Sequence, residues 1–111
     1  MPPRVLEVIL PTQEEIAAQI QRVRIDIAVG HNHLKNLKER FQYYHQDICN
    51  YQVQLTQLLN SEPNSELVPS IYERLFGLSH INQGLKKEYF DWATELNQNK
   101  QKLRKLLTQV Q

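Results

Sequence analysis

The side chains best suited to chemistry in this chain are its four histidines and its single cysteine. His31 and His33 lie two residues apart and so point to different sides of a helix, whereas metal-binding pairs on helices are three or four residues apart. His45 and His80 are the pair that a fold-back of the chain would bring together, with Asp47 close in sequence to the first. No third and fourth ligand accompanies them, so the sequence predicts no metal site.

Motifs typical of catalysis do not occur in the sequence. It contains no glycine-rich phosphate loop and no nucleophile beside a general base. Cys49 falls on the outward or boundary side of its predicted helix, without a basic partner that would activate it. A single cysteine excludes an internal disulfide and is typical of a reducing compartment, so we expect a cytoplasmic location. We predict that the protein is not an enzyme and uses no cofactor.

Basic side chains offer a different chemistry, the binding of anions. The net charge of +1 is too small to indicate nucleic acid, but one flank of the predicted helices is basic without compensating acids. This flank is either a solvated ridge or a site for an acidic surface or a phosphate backbone. No aromatic ladder is interleaved with the cations, so sequence-specific reading of nucleic acid is not predicted. The candidate anion-binding residues are Arg24, Lys38, Lys86, Lys100, Arg104 and Lys105.

Two stretches with a seven-residue apolar repeat must position all of these side chains. From Ile16 to Leu58, and again from Val68 to Val110, the repeat alternates in steps of three and four, which keeps it on one stripe of an α-helix. Thr12 begins a capping box, and breaker residues over 60–65 end the first repeat. We therefore predict an all-α domain, 12–111, in which helices 12–60 and 67–110 and a turn at 61–66 form a long antiparallel coiled-coil hairpin.

The hairpin also has a predicted register. With the tip at Pro63, facing residues have numbers that sum to about 126, and attractive charge pairs on one flank favour the same alignment. Gly30 then faces Leu96, one layer from Trp92. Because a glycine inside a helix costs about 1 kcal/mol relative to alanine, either the space accommodates the Trp92 indole or the helix breaks near Gly30. A break would give a compact three- or four-helix bundle instead.

The N-terminal residues 1–11 form an apolar segment bracketed by prolines, which favours an extended conformation. Two interpretations stay open: the segment packs along the first helix, or it docks into a partner. No apolar run approaches the roughly 20 residues that cross a bilayer, so we predict no membrane insertion.

Apolar side chains outside the repeat indicate a further protein interface. A two-helix hairpin buries side chains only along its seam, the row of contacts between the two helices. A second copy packed on the hairpin, giving a four-helix bundle, is the simplest way to bury the remaining apolar side chains. A helix of another protein would serve equally well. We predict a non-enzymatic protein–protein interaction module, an adaptor or assembly subunit that forms a homodimer, with a small nucleoprotein subunit as the alternative. The predicted partner-binding residues are Ile25, Val29, Tyr72, Phe76 and Phe90.

Overall fold

The computed structural model describes residues 11–110, which form two α-helices, α1 (Gln13–Ser61) and α2 (Leu67–Thr108). The helices pack against each other along their length as an antiparallel hairpin, and no strand occurs in the described part of the chain. The all-helical, two-helix prediction is confirmed. Residues 1–10, most of the predicted N-terminal segment 1–11, lie outside the described residues, as does Gln111.

Local hydrogen bonds explain where each helix begins and ends. The Glu15 backbone N–H donates to the Thr12 hydroxyl at 3.2 Å, so Thr12 caps the start of α1 as the capping box predicts. At the other end, α1 ends at Ser61, one residue beyond the predicted end, and the Glu62 backbone N–H donates to the Leu58 carbonyl at 2.6 Å. The Ser61 hydroxyl also donates to a carbonyl one turn earlier, at 2.8 Å. The Thr108 hydroxyl donates to the carbonyl three residues before it, at 2.6 Å. This bond lies at the end of α2, two residues before the predicted boundary.

A tight turn joins the two helices. The Ser65 backbone N–H donates to the Glu62 carbonyl at 3.0 Å, which places Pro63 at the second position of the turn, where its fixed φ is favourable. The Leu67 N–H then donates to the Ser65 hydroxyl at 3.2 Å and the Val68 N–H to the Ser65 carbonyl at 3.1 Å. Ser65 alone therefore accepts hydrogen bonds from two of the backbone N–H groups in the first turn of α2.

The hydrophobic core is a row of side chains along the contact between the two helices, not a compact cluster. Buried side chains lie in one row along the contact between the helices, and even Val23 keeps 3% of its surface exposed. The thinnest dimension of the molecule is 14 Å, which is about the width of one helix with its side chains. Within residues 11–110, nothing covers either broad side of the hairpin. The buried apolar residues are Ile16, Ile20, Val23, Leu37, Val68, Ile71, Leu85, Leu96 and Leu106.

The predicted register holds at Gly30. A Cβ atom added to Gly30 would lie 3.3 Å from Leu96 Cδ1, so these two residues face each other across the seam. The space beside the glycine is occupied by Leu96, while Trp92 stacks on His33 with ring centroids 4.1 Å apart. Because α1 runs unbroken through Gly30, the alternative of a compact bundle broken at this point is wrong.

Two polar contacts tie α1 to α2 in this register. Asn82 is buried in the seam, and its Nδ2 donates to the Phe41 carbonyl at 3.3 Å, while its Oδ1 has no hydrogen-bond partner within the described residues. Nearer the turn, the Arg74 guanidinium donates to the Tyr51 hydroxyl at 2.9 Å. A buried asparagine of this kind favours one register at some cost in stability.

Candidate functional site

Grooves run between the helices on both broad sides of the hairpin, and one of them is mainly apolar. It has a volume of about 270 Å³. Lys38 of α1 and Lys86 of α2 stand on its two walls, and the remaining lining side chains are apolar or aromatic. Its full lining is Leu37, Lys38, Phe41, Leu85, Lys86 and Tyr89.

The side of the hairpin that carries this groove is strongly basic, and we call it the basic face. Among the described residues, heptad geometry places one carboxylate there, that of Glu14, against six cations. Lys105, which the sequence predicted to belong with these cations, falls on the opposite side, because it lies just before the buried Leu106. Lys35 joins the set in its place. The cations of the basic face are Arg24, Lys35, Lys38, Lys86, Lys100 and Arg104, of which only Lys100 is half-buried.

Three of the five predicted partner-binding residues share the basic face. Tyr72 lies two heptads before Lys86, and Phe76 and Phe90 follow Tyr72 and Lys86 by four residues each. The exposed fractions of the three aromatic side chains are 52% for Tyr72, 77% for Phe76 and 70% for Phe90. From sequence, the basic and apolar residues were separate candidates. The hairpin places most of both sets on one surface.

The opposite side has a different character, and we call it the mixed face. Arg40 and Glu88 line one of its grooves together with Tyr43 and Trp92. In the described helices, its carboxylates and cations are nearly balanced in number, at six and five. They are Glu15, Asp26, Asp47, Glu88, Asp91 and Glu95, with Arg22, Arg40, Arg74, Lys102 and Lys105.

Exposed apolar side chains occur on the mixed face as well. Val29 lines a groove there, and Tyr43 and Ile81 are 67% and 44% exposed. Gly77 and Gly84 lie on the same side of α2, and a Cβ atom added to either would meet nothing within 4 Å. Each glycine thus lowers the stability of the helix without a packing reason inside the hairpin.

The remaining predicted partner residue, Ile25, is exposed on the outer edge of α1, away from both grooves. The five predicted residues therefore do not form one patch. The basic face carries three of them, the mixed face carries Val29, and the outer edge of α1 carries Ile25.

The histidines and the cysteine are dispersed along the hairpin. Cys49 is half-buried, with its Sγ 3.7 Å from His45 Nε2, and His80 stacks on Phe76 with ring centroids 6.5 Å apart. Within residues 11–110, no group of three or more histidine, cysteine, aspartate and glutamate side chains has the geometry to hold a metal ion. Neither described helix combines the length and the apolar character that a membrane span requires.

No known protein family, curated protein or solved structure matches this chain.

Proposed function

We propose that the chain is a non-enzymatic helical protein–protein interaction module, an adaptor or assembly subunit that works in the cytoplasm. The observation that carries this proposal is that residues 11–110 form a hairpin one helix thick, in which the described part of the chain covers neither broad side. Large apolar side chains are exposed on each side, among them Tyr43 and Phe76. Because contiguous exposed apolar surface is rare on monomeric proteins, further helices packed on these sides would complete a bundle.

The mixed face supports assembly with a second copy. Tyr43, Ile81 and Gly84 lie at the same level of the hairpin, since the residue numbers across the seam sum to about 126. The open Gly77 and Gly84 positions allow a neighbouring helix to approach closely. The near balance of charge means that two copies of this face meet without net repulsion. The expected product is a homodimeric four-helix bundle.

Light scattering on wild type and surface variants tests this assembly. Tyr43→Ser with Ile81→Ser should shift the protein from dimer to monomer, because both side chains are lost from the proposed interface. Val53→Ser is the matched control, since Val53 is exposed on the outer edge of α1. The same mass for wild type and both variants at every concentration would refute the mixed face as the dimer interface.

A second candidate function, a small subunit of a nucleoprotein complex, is favoured by the basic face. Arg24, Lys38, Lys86, Lys100 and Arg104 lie on one surface and would neutralise several phosphates. Binding of this kind depends on counterion release and weakens steeply as salt rises. If the chain binds neither duplex DNA nor RNA at low salt, this candidate is excluded.

A further inference from the structure

We propose that the basic face is a docking site for an acidic amphipathic helix of another protein. The inference rests on the proposed interaction function and names a surface and a partner chemistry for it. The partner helix would place its apolar stripe in the groove between α1 and α2, with its carboxylates against the lysines on the groove walls.

The groove supplies the apolar part of the site. The side chains of Leu37, Phe41, Leu85 and Tyr89 line it between the two helices. Two parallel ridges with an apolar floor form the surface on which a third helix packs in a bundle. A groove of about 270 Å³ admits apolar side chains of such a helix but is open at its top, so the partner's backbone remains outside it.

The positive charge of the basic face favours a partner with negative charge. Lys38 and Lys86 stand on opposite walls of the groove, so a helix lying between them meets a cation on each side. A second copy of this chain would place the same cations against themselves, and like-charge contacts of this kind oppose association. An acidic partner has the complementary charge on both flanks of its apolar stripe.

The aromatic side chains distinguish a helix from a phosphate backbone. Tyr72, Phe76 and Phe90 lie along the α2 side of the same face and are more than half exposed. From Tyr72 to Phe90 the face extends about 27 Å at 1.5 Å per residue, which corresponds to a partner helix of about 18 residues. Contacts to the phosphate backbone of a DNA duplex would use the cations alone, whereas the apolar stripe of a helix also buries these rings.

The test is a binding titration with the 111-residue chain at low salt, read by fluorescence anisotropy of labelled probes. The first probe is a helical peptide of about 21 residues, three heptads, with leucine on the apolar stripe and glutamate on both flanks. The second probe has lysine in place of each glutamate, and the third is a DNA duplex. We expect the acidic peptide to bind, and the lysine peptide and the duplex to bind at least about tenfold more weakly.

Variants of the chain locate the binding surface. Lys38→Glu with Lys86→Glu should weaken binding of the acidic peptide by about tenfold or more, since two attractions become repulsions. Arg22→Glu with Lys105→Glu changes the net charge equally on the mixed face and should weaken it by less than about threefold. Phe76→Ser with Phe90→Ser should also weaken binding, by about tenfold. Circular dichroism confirms that each variant remains helical.

Four results would overturn the proposal. These are no binding of the acidic peptide up to about 1 mM, equal losses in the two charge variants, unchanged affinity after loss of both phenylalanines, and tighter binding of the duplex than of the peptide. A chain that dimerises but does not bind the acidic peptide loses this inference and keeps the proposed function. A chain that stays monomeric and binds none of the probes loses both.

Discussion

Replacing the three glycines by alanine, one at a time, separates helix propensity from packing in this hairpin. All three lie inside helices, where alanine is favoured over glycine by about 1 kcal/mol. At Gly77 and Gly84 an added Cβ meets nothing within 4 Å, so each substitution should raise the free energy of unfolding by nearly the full amount. This corresponds to roughly 4–8 °C in Tm for a domain of about 100 residues.

Gly30→Ala should raise the free energy of unfolding much less. Its Cβ would lie 3.3 Å from Leu96 Cδ1, inside ordinary van der Waals contact, and Leu96 is buried in the seam and has to shift. The cost of that shift offsets the gain in propensity, so we expect a net change of less than about 0.5 kcal/mol. Gly30→Val adds two further methyl groups against Leu96 and should destabilise the hairpin by about 1–3 kcal/mol relative to Gly30→Ala.

The assay is urea unfolding followed by circular dichroism, at a protein concentration where the chain is monomeric. Low concentration matters because a Cβ at Gly77 or Gly84 would also crowd a second copy on the mixed face. If Gly30→Ala stabilises the protein as much as Gly77→Ala and Gly84→Ala do, then Leu96 does not face Gly30 in solution. In that case the helices do not pair in the register that places these two residues in one layer.

Four further substitutions, two of them compared with each other, test other parts of the hairpin. Asn82→Leu removes the buried Oδ1, which has no partner within the described residues, and an unpaired buried acceptor costs about 1–3 kcal/mol. Urea unfolding should therefore show a higher free energy of unfolding for this variant. A lower value would mean that the lost bond to the Phe41 carbonyl outweighs that cost. Thr12→Ala removes the cap of α1 and should cost about 1 kcal/mol, with faster amide hydrogen exchange in the first turn; unchanged exchange would refute the capping role. Leu37 is only 4% exposed, so Leu37→Ala should lower the free energy of unfolding, measured by thermal unfolding, by about 2–5 kcal/mol. Tyr72→Ala on the basic face should change it by less than about 0.5 kcal/mol. Equal effects of the two substitutions would contradict the burial pattern.

The apolar repeat was sufficient to predict the path of the chain. Alternating steps of three and four fix which side of each helix is buried, and Pro63 fixes where the chain reverses. Together they predict that Gly30 faces Leu96, because an antiparallel pair with a known tip has only one register that keeps the seam aligned.

Side-chain conformations could not be predicted in the same way. The stacking of Trp92 on His33 depends on rotamers, which the repeat leaves free. Facing residues whose numbers sum to about 126 place Asn82 opposite Tyr44, but the Asn82 amide donates to the Phe41 backbone carbonyl, three residues earlier on α1. The observed helix ends, Ser61 and Thr108, differ from the predicted ones by one and two residues, because the apolar repeat does not specify the last residue of a helix.

The candidate surface was only partly evident from the sequence. The basic flank and the exposed aromatic residues were each identified, but as separate features, although Tyr72 and Lys86 occupy the same heptad position. Placing two antiparallel helices side by side brings Lys38 and Lys86 together across a groove and puts Tyr72, Phe76 and Phe90 on the same side. The same geometry assigns Lys105 to the other face.

Small-angle X-ray scattering of the wild-type chain over a concentration series tests the central claim most directly, namely that the open faces of the hairpin pack further helices. The single chain has a mass of 13.2 kDa and is 14 Å thick. We expect the scattering mass to rise to twice that of the chain, with an increase in thickness and little change in length, as two hairpins stack into a four-helix bundle. A mass of 13.2 kDa at every concentration, or a dimer that doubles in length at constant thickness, would contradict this claim.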